Sequence, residues 1–169
     1  MRWQTARVEP TIVQLAEQTY VGRRESVALT EFAVVADHLP GMFSWLGERG
    51  IAAAGPPFFR YRVIDMAAEL TVEAGIPVAA DVEVSPPAFV DTLPAGRYVT
   101  LAHIGHPDEL MGVAAGVLDW GQRQGLQWDV TQTPEGEVWG CRLEILRTNP
   151  AEEPDIHKWE TVLMFRLAD

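Results

Sequence analysis

Arg97-Tyr-Val-Thr-Leu-Ala-His-Ile-Gly105, then Pro107-Asp-Glu-Leu110 running on to Leu118, then Val138-Trp-Gly-Cys-Arg-Leu-Glu-Ile-Leu146, then Trp159-Glu-Thr-Val-Leu-Met-Phe-Arg-Leu167 read in order as strand, helix, strand, strand. The first strand follows the turn signal Pro94-Ala-Gly96. Pro107 fits the first helical position, Asp108 and Glu109 complement the helix dipole, and Gly125 falls just past the end. Leu110, Val113, Ala114, Val117 and Leu118 recur at helical spacing, so this helix lays one face on a sheet. Gly112 and Gly116 would allow close backbone approach.

The earlier half repeats the same order. Thr11 to Val27 reads as a strand pair, or as one long strand interrupted near Gly22. A helical segment from about Thr30 to Arg49 carries Phe32, Val35, Leu39, Phe43 and Leu46 at helix-like intervals. Pro40-Gly41 interrupts it, either opening a second helical piece or kinking a single one. Phe58–Met66 and Leu70–Val78 are the two strands that follow, and Asp81–Pro94, with Pro86-Pro87, is a connector too short to separate independent domains. Two copies of one unit predict a single α+β domain over residues 1–169, core 10–168. It comprises two βαββ units about a pseudo-twofold, an antiparallel sheet and two long helices on one face. The groove between the copies, or the open sheet face, is left for a ligand.

Composition narrows the partners. A chain of 169 residues with 47% apolar side chains and six Trp, six Phe and three Tyr is globular and builds its own core. The formal charge is −11 and Lys158 is the only lysine, so the summed field repels phosphate backbones and anionic lipid. Direct nucleic-acid binding is not expected. The single cysteine, Cys141, excludes an internal disulfide and reads as a buried, inert thiol. Met1 to Pro10 holds no apolar leader, and no later run is long enough for a membrane span, so a cytoplasmic location is expected. No cofactor signature is legible. His103 and His106 lack a third ligand and read as a helix-entry cap and a solvated histidine rather than a metal site.

The unusual residues are two carboxylates inside apolar strands. Alternation puts Glu144 opposite the side of Trp139, Cys141, Leu143 and Ile145, and Glu160 opposite Trp159, Thr161, Leu163 and Phe165, on a face shared with Val162 and Met164. A carboxylate among apolar and aromatic groups must find a partner or protonate, which describes a cation-recognising pocket or a general base. Simple ion pairs with Arg142 or Arg147 for Glu144, and with Lys158 or Arg166 for Glu160, are the alternatives.

Several blocks carry a family resemblance: Gly55-Pro-Pro-Phe-Phe-Arg-Tyr61, Val72-Glu-Ala-Gly-Ile-Pro-Val78, Leu93-Pro-Ala-Gly-Arg-Tyr98, His103-Ile-Gly-His106, and Trp139…Glu144…Asn149-Pro150…Pro154-Asp155…Trp159-Glu160. Together, over roughly residues 10 to 168, they resemble the GyrI-like small-molecule-binding domain, which is also the effector-binding domain of AraC-type and MerR-type multidrug regulators. The resemblance implies two βαββ units and a hydrophobic groove holding a functional glutamate, which falls on Glu144, with a second acidic position on Glu160. Trp139 and Tyr61 fall on groove positions, and Phe43, Phe59 and Trp159 join them as ligand-binding candidates. Asn149 departs from the aspartate expected before the proline, and no helix-turn-helix pattern flanks the match, which counts against a transcriptional role.

Three functions follow as expectations. The first is a module that sequesters or senses amphipathic, aromatic or cationic small molecules, with aromatic walls and Glu144 as counter-charge. The second is a hydrolase, since stand-alone relatives open cyclopropane-bearing genotoxic natural products with a groove glutamate and an aromatic residue; Glu144, or failing it Glu160, would be the catalytic carboxylate. The third is a gyrase-interacting inhibitor, although no protein partner is named by the residues.

Overall fold

A computed structural model describes residues 9–65 and 67–168. The leaderless reading of Met1–Val8 and the expected strand end at Met66 lie outside them. The strands are β1 (Thr11–Leu15), β2 (Gln18–Val27), β3 (Phe58–Ile64), β4 (Leu70–Pro77), β5 (Phe89–Leu93), β6 (Gly96–Ile104), β7 (Val130–Thr133), β8 (Gly136–Trp139), β9 (Arg142–Leu146) and β10 (Glu160–Arg166). The helices are α1 (Ala33–Ala36), α2 (His38–Glu48) and α3 (Leu110–Arg123).

One antiparallel, curled sheet runs in the order β1-β6-β10-β9-β3-β4-β2-β5. That order is a palindrome of the repeat. The unit β2-α1/α2-β3-β4 lies in space as β3-β4-β2, and the unit β6-α3-β9-β10 lies as β9-β10-β6, so the two meet at the β3–β9 seam. At that seam Phe58 opposes Ile145, Phe59 opposes Glu144 and Arg60 opposes Leu143. The two-unit expectation holds, and the long helices α2 and α3 border the same side of the sheet.

Four local expectations are corrected. Thr11–Val27 is two strands, but they pair in opposite halves: β1 joins β6, while β2 joins β4 and β5. The break falls at Ala16–Glu17, and Gly22 continues β2 because the Phe89 and Tyr20 rings lie over it where a Cβ would stand. The connector Asp81–Pro94 contributes an edge strand, β5, so each half is bordered by a strand from outside its own βαββ unit. The first helical segment breaks at Asp37, and Pro40 sits in the first turn of α2, where its missing N–H is not needed. Val138–Leu146 is two strands, β8 and β9, divided at Gly140-Cys141, and a hairpin partner, β7, precedes them.

The main core lies between helices and sheet, around Val35, Leu46, Val72, Ile76, Val117, Leu163 and Phe165. A smaller cluster of Tyr20, Phe58, Tyr98, Cys141 and Leu143 covers the other sheet face. There the Phe58 ring lies on Gly75, its cross-strand neighbour, filling the space a Cβ would take. Beside it the row Arg60–Glu73–Arg24 crosses three strands. Glu73 is fully buried, yet accepts from Arg24 Nε at 2.9 Å and Nη2 at 2.6 Å, from Arg62 Nε at 2.9 Å, and from the Tyr20 hydroxyl. Such burial is tolerable because both carboxylate oxygens have donors and two guanidinium groups supply the opposite charge.

Candidate functional site

Between α2, α3 and the seam lies a groove of about 1370 Å³. Its floor is Phe59, Tyr61, Ile64, Arg142, Glu144 and Leu146, and its walls come from Phe32, Leu39 and Phe43 on one side and Leu110, Met111 and Leu118 on the other. Two irregularities arrange the floor. A bulge at Arg62 lets both Tyr61 and Ile64 face the groove, while Arg62 turns to Glu73. The break at Gly140 does the same for the neighbouring strands: the Asp129 carboxylate occupies the place of a Gly140 Cβ, and the Gly140 N–H donates to Asp129 O at 2.8 Å.

That break overturns one expectation. Cys141 and Leu143 do face away from Glu144, as alternation requires, but Trp139 does not: it belongs to the main core, on the groove side. Its ring carries the Arg142 guanidinium at 5.0 Å, and Phe165 and Tyr61 complete that cage at 4.5 and 5.8 Å.

Glu144 is half-buried on the groove floor. Its Oε1 accepts the Tyr61 hydroxyl at 2.9 Å, rather than an arginine or lysine. Loss of hydration pushes the carboxyl above its usual range, against the opposing pull of the Tyr61 hydrogen bond and the Arg142 charge. Burial also pushes the Tyr61 phenol well up, with the Glu144 charge adding to it, so it stays a donor. The same burial draws Arg142 downward.

Phe59, Tyr61, Phe43 and Trp159 all line the groove; Phe43 is 41% exposed and stands at its opening. Phe32, which sequence reasoning used only as a helix marker, stacks on Tyr61 at 5.9 Å and meets Phe59 edge-on at 4.9 Å. Trp159 Nε1 donates to Glu153 O at 2.8 Å, which fixes the ring. Glu160 borders the groove only at the first residue of β10, and alternation assigns it to the face of Val162 and Met164 while Thr161 and Leu163 face in. Trp139 lines a smaller adjoining cavity instead. Elsewhere, Cys141 is fully buried and burial raises its thiol pKa. His106 Nδ1 accepts from Asp108 N at 3.0 Å as a cap, and His103 meets Glu109 at 3.0 Å.

A two-unit sheet with paired helices over a carboxylate-bearing aromatic groove defines a small-molecule-binding module. The chain belongs to the family of the GyrI-like small molecule binding domain, whose model matches residues 8–164. Among solved structures it is similar to the EcmrR C-terminal domain, with 15% identity, TM-score 0.78, and coverage of 96% of this chain and 99% of that one. In the EcmrR–DNA complex it covers 57% of the longer EcmrR chain. SAV2435 bound to tetraphenylphosphonium matches at 15% identity and TM-score 0.55, over 95% of this chain and 94% of that one. A hydrolase from Listeria innocua matches at 14% identity and TM-score 0.61, over 95% and 92%. No curated protein matches the chain. Among the described residues no helix is long and apolar enough to cross a membrane.

Proposed function

We propose that the chain binds amphipathic, aromatic or cationic small molecules in the groove, with Glu144 as the counter-charge, and so sequesters or senses drug-like compounds. One observation carries this reading: a half-buried carboxylate, pushed up in pKa by its surroundings, meets a neutral hydroxyl on an aromatic-walled floor. An entering cation brings Glu144 a charge that its hydrogen-bonded partner, the Tyr61 hydroxyl, does not carry, and the rings supply burial and cation–π contact. SAV2435, of the same fold, holds tetraphenylphosphonium, a cation of this class. The test is calorimetric titration of wild type and Glu144→Gln with tetraphenylphosphonium and with neutral triphenylphosphine oxide. Removing the charge at constant shape should weaken the cation roughly tenfold or more and the neutral compound little. Equal losses would remove Glu144 from the role.

A second reading has its own support. The Tyr61–Glu144 hydrogen bond would set a general base beside an aromatic platform, and a structural neighbour is described as a hydrolase. Ring-opened product from a cyclopropane-bearing alkylating agent, with turnover lost in Glu144→Gln, would favour catalysis; stoichiometric binding without turnover would leave binding alone.

A further inference from the structure

Beside the groove lies a second cavity of about 270 Å³, lined by Leu118, Leu126, Trp128, Val130, Trp139 and three polar groups, Gln122, Gln132 and Glu137. Leu118 and Glu137 line both cavities, so the two adjoin. Sites for drug-sized ligands run roughly 300–1,000 Å³. The smaller space is therefore short of a whole ligand but suited to one ring system, while the groove alone exceeds the range.

The wall between them is chemically distinct. Trp139 Nε1 donates to Glu137 Oε1 at 3.3 Å, and the other side of the wall is the Arg142 guanidinium on the Trp139 ring. Trp128 is set by the close approach of its ring to Gly121 of α3, where no side chain could stand, and it lies 6.2 Å from Trp139. Two indoles, a carboxylate and two side-chain amides fit a flat cation with N–H donors.

From these we infer that the small cavity is a second subsite of the same site, taking the far cationic ring of an elongated ligand whose near end lies over Glu144. The preferred ligand class is the bis-cationic aromatic amphiphile. This rests on the binding function proposed above and narrows its ligand. Linking two heads makes the second contact intramolecular, which commonly raises affinity by ~10²–10⁴ where the tether spans both subsites.

The probes are benzamidine and pentamidine, which is two benzamidine heads joined by a pentamethylenedioxy tether, titrated calorimetrically into the full chain. Pentamidine should bind one to one and at least about tenfold tighter than benzamidine. Gln132→Lys, at an exposed position, places a like charge at the annex, and Glu137→Gln removes the carboxylate while keeping an acceptor for Trp139. Both should reduce the advantage to within about threefold, and Gln132→Lys, which does not line the groove, should leave tetraphenylphosphonium binding unchanged. An advantage retained in both variants, or none in wild type while benzamidine and tetraphenylphosphonium still bind, overturns the annex alone. Failure of all three compounds to bind overturns it together with the groove reading.

Discussion

Tyr61→Phe isolates the contact on which the groove depends. The substitution keeps the ring that stacks on Phe32 and removes only the hydroxyl that donates to Glu144 at 2.9 Å. A hydrogen bond to a charged group contributes about 1.5–3 kcal/mol, and its loss leaves a desolvated carboxylate oxygen unpaired. For a domain of this size each kcal/mol moves Tm by roughly 2–4 °C, so the midpoint should fall by about 3–12 °C at pH 7.5. The loss carries a pH signature. Because desolvation raises the folded-state pKa of Glu144, the folded state takes its proton more readily than the unfolded one, and the ionised form costs stability as pH rises above the unfolded value. The Tyr61 hydrogen bond opposes that shift, so deleting it drives the pKa further up. The variant's deficit should be largest where Glu144 is ionised and should shrink as pH falls through its folded-state pKa. Calorimetric Tm values for wild type, Tyr61→Phe, Glu144→Gln and the double variant, at pH 7.5 and pH 4, test this. A deficit of equal size at both pH values, or undiminished in the Glu144→Gln background, would refute the assignment of the cost to the carboxylate.

Arg142→Met should raise the affinity for tetraphenylphosphonium several-fold at pH 8, since it removes a like charge from the groove and empties the cage of Trp139, Phe165 and Tyr61; unchanged or weaker binding by calorimetry would show that Arg142 does not compete with the ligand. On the opposite sheet face, Glu73→Ala should cost about 3–5 kcal/mol, because the Tyr20 hydroxyl, Arg24 and Arg62 lose the acceptor they share. Urea denaturation should show the midpoint dropping with an unchanged slope, and an unmoved midpoint would mean the network is dispensable.

The repeat made the architecture legible, because Pro107, Gly125 and the apolar stripe between them define α3 with little tertiary help. The misread places are those where a distant side chain decides a local outcome. Gly22 stays in its strand because Phe89 and Tyr20 cover it, and Gly140 ends one because the Asp129 carboxylate fills its side-chain space. Phe89 and Asp129 lie too far along the chain from these glycines to enter a local pattern. Glu73 was missed for another reason. It sits between Val72 and Ala74 as Glu144 sits between Leu143 and Ile145, and a carboxylate in an apolar strand needs a partner in either place. What separates them is the partner. Glu73 faces two guanidinium groups and a hydroxyl, whereas Glu144 receives one hydroxyl.

The difference has a geometric origin in the seam. Within the first half, strands pair so that charged side chains on the far face meet their complements across the ladder, as Arg60, Glu73 and Arg24 do. At the seam the two copies meet instead, and the residue opposite Glu144 is Phe59, an aromatic ring that offers burial but no charge. The two units thus contribute unlike chemistry to one spot: the first supplies rings, Phe32, Phe59 and Tyr61, and the second supplies charge, Arg142 and Glu144. The break at Gly140 adds Trp139 to the second unit's side, and without it Trp139 and Arg142 would point to opposite faces. One glycine, set by the carboxylate packed against it, therefore builds the wall that is shared by the groove and its annex.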